Sequence, residues 1–90
     1  MLRYLIIAKG RVQGVGFRYF AELTAYKLNL TGWCKNLMDG AVEIEIQGLE
    51  KNVLSFISAI KAGNNFSRIE DLDLSRIDLI ENEKKFTIKY

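Results

Sequence analysis

The sequence predicts an α+β domain in which two helices cover one face of a mainly antiparallel sheet of four to five strands. Three observations carry that reading. Apolar residues recur at helical spacing in two separate stretches, 17–28 and 53–60. The segments around them alternate, or run apolar, with the period of strands. An Asp-Gly pair, Asp39-Gly40, stands between two of those segments, where a hairpin turn belongs. With 90 residues, 49% hydrophobic and 27% charged, the chain has the composition of a globular domain and too little length for two cores, so residues 1–90 are read as one domain.

Leu2 to Val12 carries apolar side chains on both faces, as a central strand does when helices cover one side and the other is partly covered. A loop from Gln13 to Gly16 follows. Phe17, Ala21, Thr24, Ala25 and Leu28 then line one face of a helix that Asn29 can end. Thr31 to Leu37 and Ala41 to Gln47 form the arms of a hairpin, its turn at Met38-Asp39-Gly40 taking positive φ from the Asp-Gly pair. The second arm buries Val42, Ile44 and Ile46 and wets Glu43, Glu45 and Gln47. Val53, Phe56, Ile57 and Ile60 mark a second helix, with Gly63 at its C-cap. Ile69 to Leu79 and Phe86 to Tyr90 close the chain as strands. This order is that of a ferredoxin-like split βαβ sandwich. In that topology the first two strands run parallel with the third between them. The loop after strand one and the end of strand two then share one edge, which makes Arg18 and Asn36 neighbours.

Composition excludes several chemistries. A lone cysteine, Cys34, allows no internal disulfide, and without a histidine or second thiol no zinc site is expected. The apolar run Tyr4 to Ala8 is too short for a signal peptide or a membrane span, so a cytoplasmic protein without a membrane partner is expected. The net charge of +2 is too small to imply nucleic acid, but it is unevenly spread. Residues 1–40 hold six basic side chains against two acidic, whereas residues 41–90 hold seven against nine. An anionic ligand is expected in the first half.

Three of the seven glycines fall in Gly10-Arg11-Val12-Gln13-Gly14-Val15-Gly16-Phe17-Arg18, immediately before the first helix. Such a loop can turn its amides inward as an anion nest; the helix N-terminus adds partial positive charge, and Arg18 adds a guanidinium suited to two phosphate oxygens. Dinucleotide and nucleotide P-loop patterns do not fit: the third glycine of the former and the Gly-Lys-Ser/Thr of the latter are missing. Together with Gly32-Trp33-Cys34-Lys35-Asn36 and Asp39-Gly40, this segment resembles the two signature segments of acylphosphatases, and the resemblance spans essentially the whole chain. Two positions depart from the pattern. Cys34 replaces a small aliphatic residue, and Gly63-Asn64-Asn65 stands where many members have glycine followed by prolines.

The resemblance implies hydrolysis of an acyl phosphate to a carboxylate and inorganic phosphate. Gln13, Gly14, Val15, Gly16, Phe17 and Arg18 are then expected to bind the phosphoryl group, with phosphate or sulfate as alternative occupants. Arg18 is expected to stabilise transition-state charge and Asn36 to hold the attacking water, with no metal, cofactor or covalent intermediate. The residue inventory fits independently: a carboxylate leaving group has a pKa near ~4 and departs without a proton donor, which suits a chain without histidine. Trp33 and Cys34 are read as structural. The rival reading is an RNA-binding sheet, disfavoured because the open face is expected to show Arg3, Leu5, Ile7, Glu43 and Glu45 and no aromatic platform. A segment similar to that of hydrogenase-maturation carbamoyltransferases is a further alternative. A stand-alone monomer is expected, with little acyl selectivity because a chain of this size has little room for a second pocket.

Overall fold

The computed structural model describes residues 1–90. Strand β1 (Leu2–Arg11) leads into helix α1 (Phe17–Lys27); β2 (Thr31–Asn36), β3 (Val42–Gly48), helix α2 (Glu50–Ala62), β4 (Arg68–Ile77) and β5 (Phe86–Ile88) follow. The five strands form one sheet in the order β4-β1-β3-β2-β5. Every pairing is antiparallel except that of β2 with β5. The fold is therefore the expected ferredoxin-like α+β arrangement, with β3 between the parallel strands β1 and β2.

Strand alternation decides which side is core. Ile6, Ile44 and Cys34 lie side by side across β1, β3 and β2, and all three are fully buried against Ala21 and Ala25 of α1 and Val53, Phe56 and Ile60 of α2. Gly32 permits the close approach of β2 to β3, because a Cβ there would run into the Glu45 carbonyl oxygen. Asn29, with φ of 56°, ends α1 as expected, and Gly63 caps α2 with its N–H donating to the Ala59 carbonyl. In the hairpin only Gly40 takes positive φ. Asp39 acts through its carboxylate, which accepts the Ala41 N–H at 3.0 Å. No helix is long and apolar enough to cross a membrane.

Four expectations need correction. The closing strands are shorter than the apolar pattern predicts, ending at Ile77 and Ile88 rather than Leu79 and Tyr90. Since β4 and β5 occupy opposite edges of the sheet, residues 78–85 must leave the β4 edge early to cross to β5. That crossing changes the face away from the helices: Arg3, expected to be open there, is fully buried. Its guanidinium donates to Glu45 at 2.8 Å, to Gln47 at 3.1 Å and to both carboxylate oxygens of Glu83 at 2.8 and 3.2 Å. Gln47, expected to be wet, is likewise buried by the crossing and completes the fastening, donating to the Ile80 carbonyl and accepting the Ile80 N–H. The same face does carry one aromatic, Trp33, which lies outside the core cluster with Lys89 4.2 Å and Lys35 5.7 Å from its ring centroid.

The Arg3 network sets two expected outcomes. Arg3→Ala leaves two carboxylates and a glutamine without their cation, and is expected to cost about 3 kcal/mol, near the low end for a broken buried pair because both acids reach solvent. A urea unfolding midpoint checks it. For Glu83, burial alone would raise the carboxyl pKa, but hydrogen bonds from Arg3 and Thr31 outweigh burial and hold it below its ordinary value. Its stabilisation is thus complete above the unfolded carboxylate's pKa and is lost as pH falls through the lower folded value. Glu83→Gln is expected to flatten the acid limb of stability below about pH 4.5, read from unfolding curves at a series of pH values.

Candidate functional site

The loop between β1 and α1 is pinned at both ends by buried apolar side chains, Val12 and Phe17. Between them Gly14 and Gly16 take φ of 72° and 74°, while Gln13 and Val15 keep negative φ. Alternating handedness of this kind turns successive N–H groups toward one side. A Cβ at Gly14 would meet nothing within 4 Å, so glycine is required there for its conformation and not for space. Helix α1 starts at Gly16 with no side-chain cap and no acidic residue in its first turn. As a result none of the seven backbone amides from Gln13 to Tyr19 donates to any protein acceptor; the first that does is Phe20, to the Gly16 carbonyl at 3.0 Å. Orphaned donors at a helix N-terminus form a surface receptive to an anion.

Two side chains, one of the loop itself and one from the turn after α2, hold this loop in place. Gln13 donates from Nε2 to the carbonyls of Leu37 and Ala41, both at 2.8 Å, which fastens the loop to the β2–β3 hairpin. Asn64, after α2, donates from Nδ2 to the Val15 carbonyl at 2.9 Å and keeps that oxygen from turning inward. Asn64 is itself braced by Ser67, whose hydroxyl accepts the Asn64 N–H at 2.9 Å. The departure from prolines at this turn thus supplies a tether that proline could not.

Arg18 projects from the first turn of α1. It pairs with no carboxylate: Nη1 reaches the Lys89 carbonyl at 3.4 Å, and Cζ lies 5.0 Å from the centre of the Tyr90 ring. The Arg18 carbonyl sits over the Cys34 thiol, with Sγ 3.9 Å away. Asn36 is two positions further along the same face of β2, roughly 7 Å on. It is exposed at the strand end, and its side chain makes no hydrogen bond to protein. Arg18, Asn36 and the glycine loop thus lie at one end of the sheet. A pocket of about 230 Å³ opens between Gly14, Gly16, Arg18, Ile88 and Tyr90. Cys34 takes no part in its chemistry, since burial, only partly offset by Arg18, pushes its thiol up to about 12.

Sequence reasoning assigned Gln13 to the loop for its amide and missed the side-chain clamp. It also missed Asn64 and Tyr90. The departure at 63–65 and the alternation of Phe86, Ile88 and Tyr90 were the available signals, but which loop Asn64 touches is a tertiary fact.

A ferredoxin-like sheet with an anion-receptive first loop, an arginine without a carboxylate partner and a strand-end asparagine at the same end of the sheet defines a class of small α+β proteins. The acylphosphatase family model matches residues 4–88. An acylphosphatase of Clostridium beijerinckii is 66% identical over the full length of both chains. The crystal structure of acylphosphatase from Bacillus subtilis superposes with a TM-score of 0.95 at 47% identity, covering all of both chains. An acylphosphatase from Coxiella burnetii gives 0.90 at 27% identity, covering 98% of this chain and 92% of that one. The chain belongs to the acylphosphatase family.

The Asn64 tether has a distinctive signature. Its Oδ1 is buried without a partner, so Asn64→Ala removes an orphaned acceptor together with one hydrogen bond and is expected to cost less than about 1 kcal/mol. Asn64→Asp sets an oxygen against the Val15 carbonyl and is expected to cost on the order of 2 kcal/mol at neutral pH. Urea denaturation of both variants separates the two cases.

Proposed function

We propose that this hydrolase cleaves the carboxyl–phosphate anhydride of acyl phosphates by in-line attack of water. The phosphoryl oxygens lie in the loop from Gln13 to Arg18, and the Arg18 guanidinium takes up the charge that develops in the transition state. Asn36 orients the water through its side-chain amide, and the water's proton passes to a phosphoryl oxygen. The carboxylate departs as an anion, since its pKa near ~4 removes the need for a general acid. The observation that carries this reading is the run of seven amides without a protein acceptor beside an arginine without a carboxylate partner. Donors held in place before the substrate arrives need no reorganisation during the reaction, which is how such sites gain most of their rate.

Hydrolysis of benzoyl phosphate in excess chelator tests the reading. The parent is expected to turn over, while Arg18→Ala and Asn36→Ala, each shown to remain folded, are expected to lose on the order of 10²–10³-fold in kcat/KM. Hydrolysis that the chelator abolishes, or that both variants retain in full, would overturn the assigned mechanism.

A further inference from the structure

Helix α1 carries a second apolar row. Beside the stripe facing the core, Tyr19, Leu23 and Tyr26 recur on its outer face and are 61%, 41% and 73% exposed. A surface helix ordinarily places polar side chains there. The row borders a groove between α1 and the C-terminal segment, and the groove begins at the pocket beside Arg18. That pocket shares Tyr19, Ile88 and Tyr90 with a middle section of about 470 Å³. The middle section in turn shares Tyr19, Glu22, Lys85 and Phe86 with a far section of about 650 Å³ that reaches Leu23, Tyr26 and Leu30. The sections run on from one another along α1, whose 11 residues span ~16 Å.

We propose that this groove is the acyl subsite, and that the preferred substrates are acyl phosphates with extended apolar chains. The proposal rests on the acylphosphatase reading and deepens it. A substrate whose phosphoryl group lies against Arg18, with its leaving group turned toward Tyr90, places its first carbons between Tyr19 and Ile88. Later carbons then lie along Leu23 and Tyr26. Continuity with the Arg18 pocket selects this occupant, because a methylene chain needs no polar partner and the far section, where its later carbons lie, has mostly apolar walls. Glu22 on one rim and Lys84 and Lys85 on the other keep the groove wet at its margins. The expectation of little acyl selectivity for want of a second pocket is replaced by a graded preference for length.

A groove that binds the chain equally in ground and transition states lowers KM and leaves kcat alone. A half-open groove shields part of each methylene, roughly a twofold gain per carbon. Octanoyl phosphate is therefore expected to show a KM on the order of 30–100-fold below that of acetyl phosphate, with butanoyl phosphate between them. In the double variant Leu23→Ser/Tyr26→Ser the KM for octanoyl phosphate is expected to rise at least ~10-fold, with acetyl phosphate kinetics within ~2-fold of the parent. A KM independent of chain length in an enzyme that hydrolyses acetyl phosphate overturns the acyl subsite, as does an equal loss on both substrates in the variant. No hydrolysis of any acyl phosphate by the folded parent overturns the acylphosphatase reading itself.

Discussion

Backbone amides without acceptors make a poor structural element, and the fold around the first loop answers that constraint. A run from Gln13 to Tyr19 that donates nothing to the protein cannot hold its own shape. Rigidity has to come from the sides. Buried Val12 and Phe17 pin the ends, Gln13 ties the loop to the β2–β3 hairpin, and Asn64 holds the Val15 carbonyl from the turn after α2. The two hydrogen-bonded tethers join the loop to different parts of the fold. The loop's geometry is therefore a property of the assembled fold: β1, the hairpin and the turn after α2 must all be in place before the amides point one way.

The opposite face follows a contrary logic. There the chain crosses from one sheet edge to the other, and polar groups brought under the crossing are satisfied completely. Arg3 meets two carboxylates and an amide, and Gln47 meets both polar groups of the Ile80 backbone. A cation that is desolvated must be fully paired, or the burial costs more than the contacts return. Arg3 and Arg18 thus share a side chain and little else. One is buried, fully paired and fixes the chain's course; the other is half-buried and has no carboxylate partner.

That contrast shows how much the sequence could disclose. Local signals were legible. The stripes of α1 and α2, the buried Val42, Ile44 and Ile46 of β3 and the Asn29 and Gly63 helix ends each depend on neighbours within a few residues, and each appears in the structure at the expected place, whereas Gln47, expected to be wet, is buried. The residues of the glycine loop were legible for the same reason, since their conformational demand is written in consecutive positions. What stayed hidden depends on residues brought together from far apart. The pairing of Arg3 with Glu83 spans 80 positions, and that of Asn64 with Val15 spans 49. Strand alternation placed Arg3 on the correct face but could not reveal that residues 78–85 return to cover it. Trp33 was read as structural on its type, and the register opposite Glu45 turns it to the face away from the helices.

The electrostatic difference between the two faces bears on the chemistry. A guanidinium beside a carboxylate offers a ligand little net attraction, because the field of one largely cancels that of the other at the distance of a bound group. At the loop end of the sheet Arg18 is met by a carbonyl and an aromatic face, which orient it without neutralising it. The uncapped start of α1 adds to the same field. Burial meanwhile keeps the adjacent Cys34 thiol protonated, so no thiolate competes for the arginine. The positive potential is thus preserved by what the first turn lacks, an acidic cap or a paired acid, as much as by what it contains. A site of this kind gains its effect from fixed charge and fixed donors. It has no need of a group that titrates near neutrality, which accords with a chain that contains no histidine.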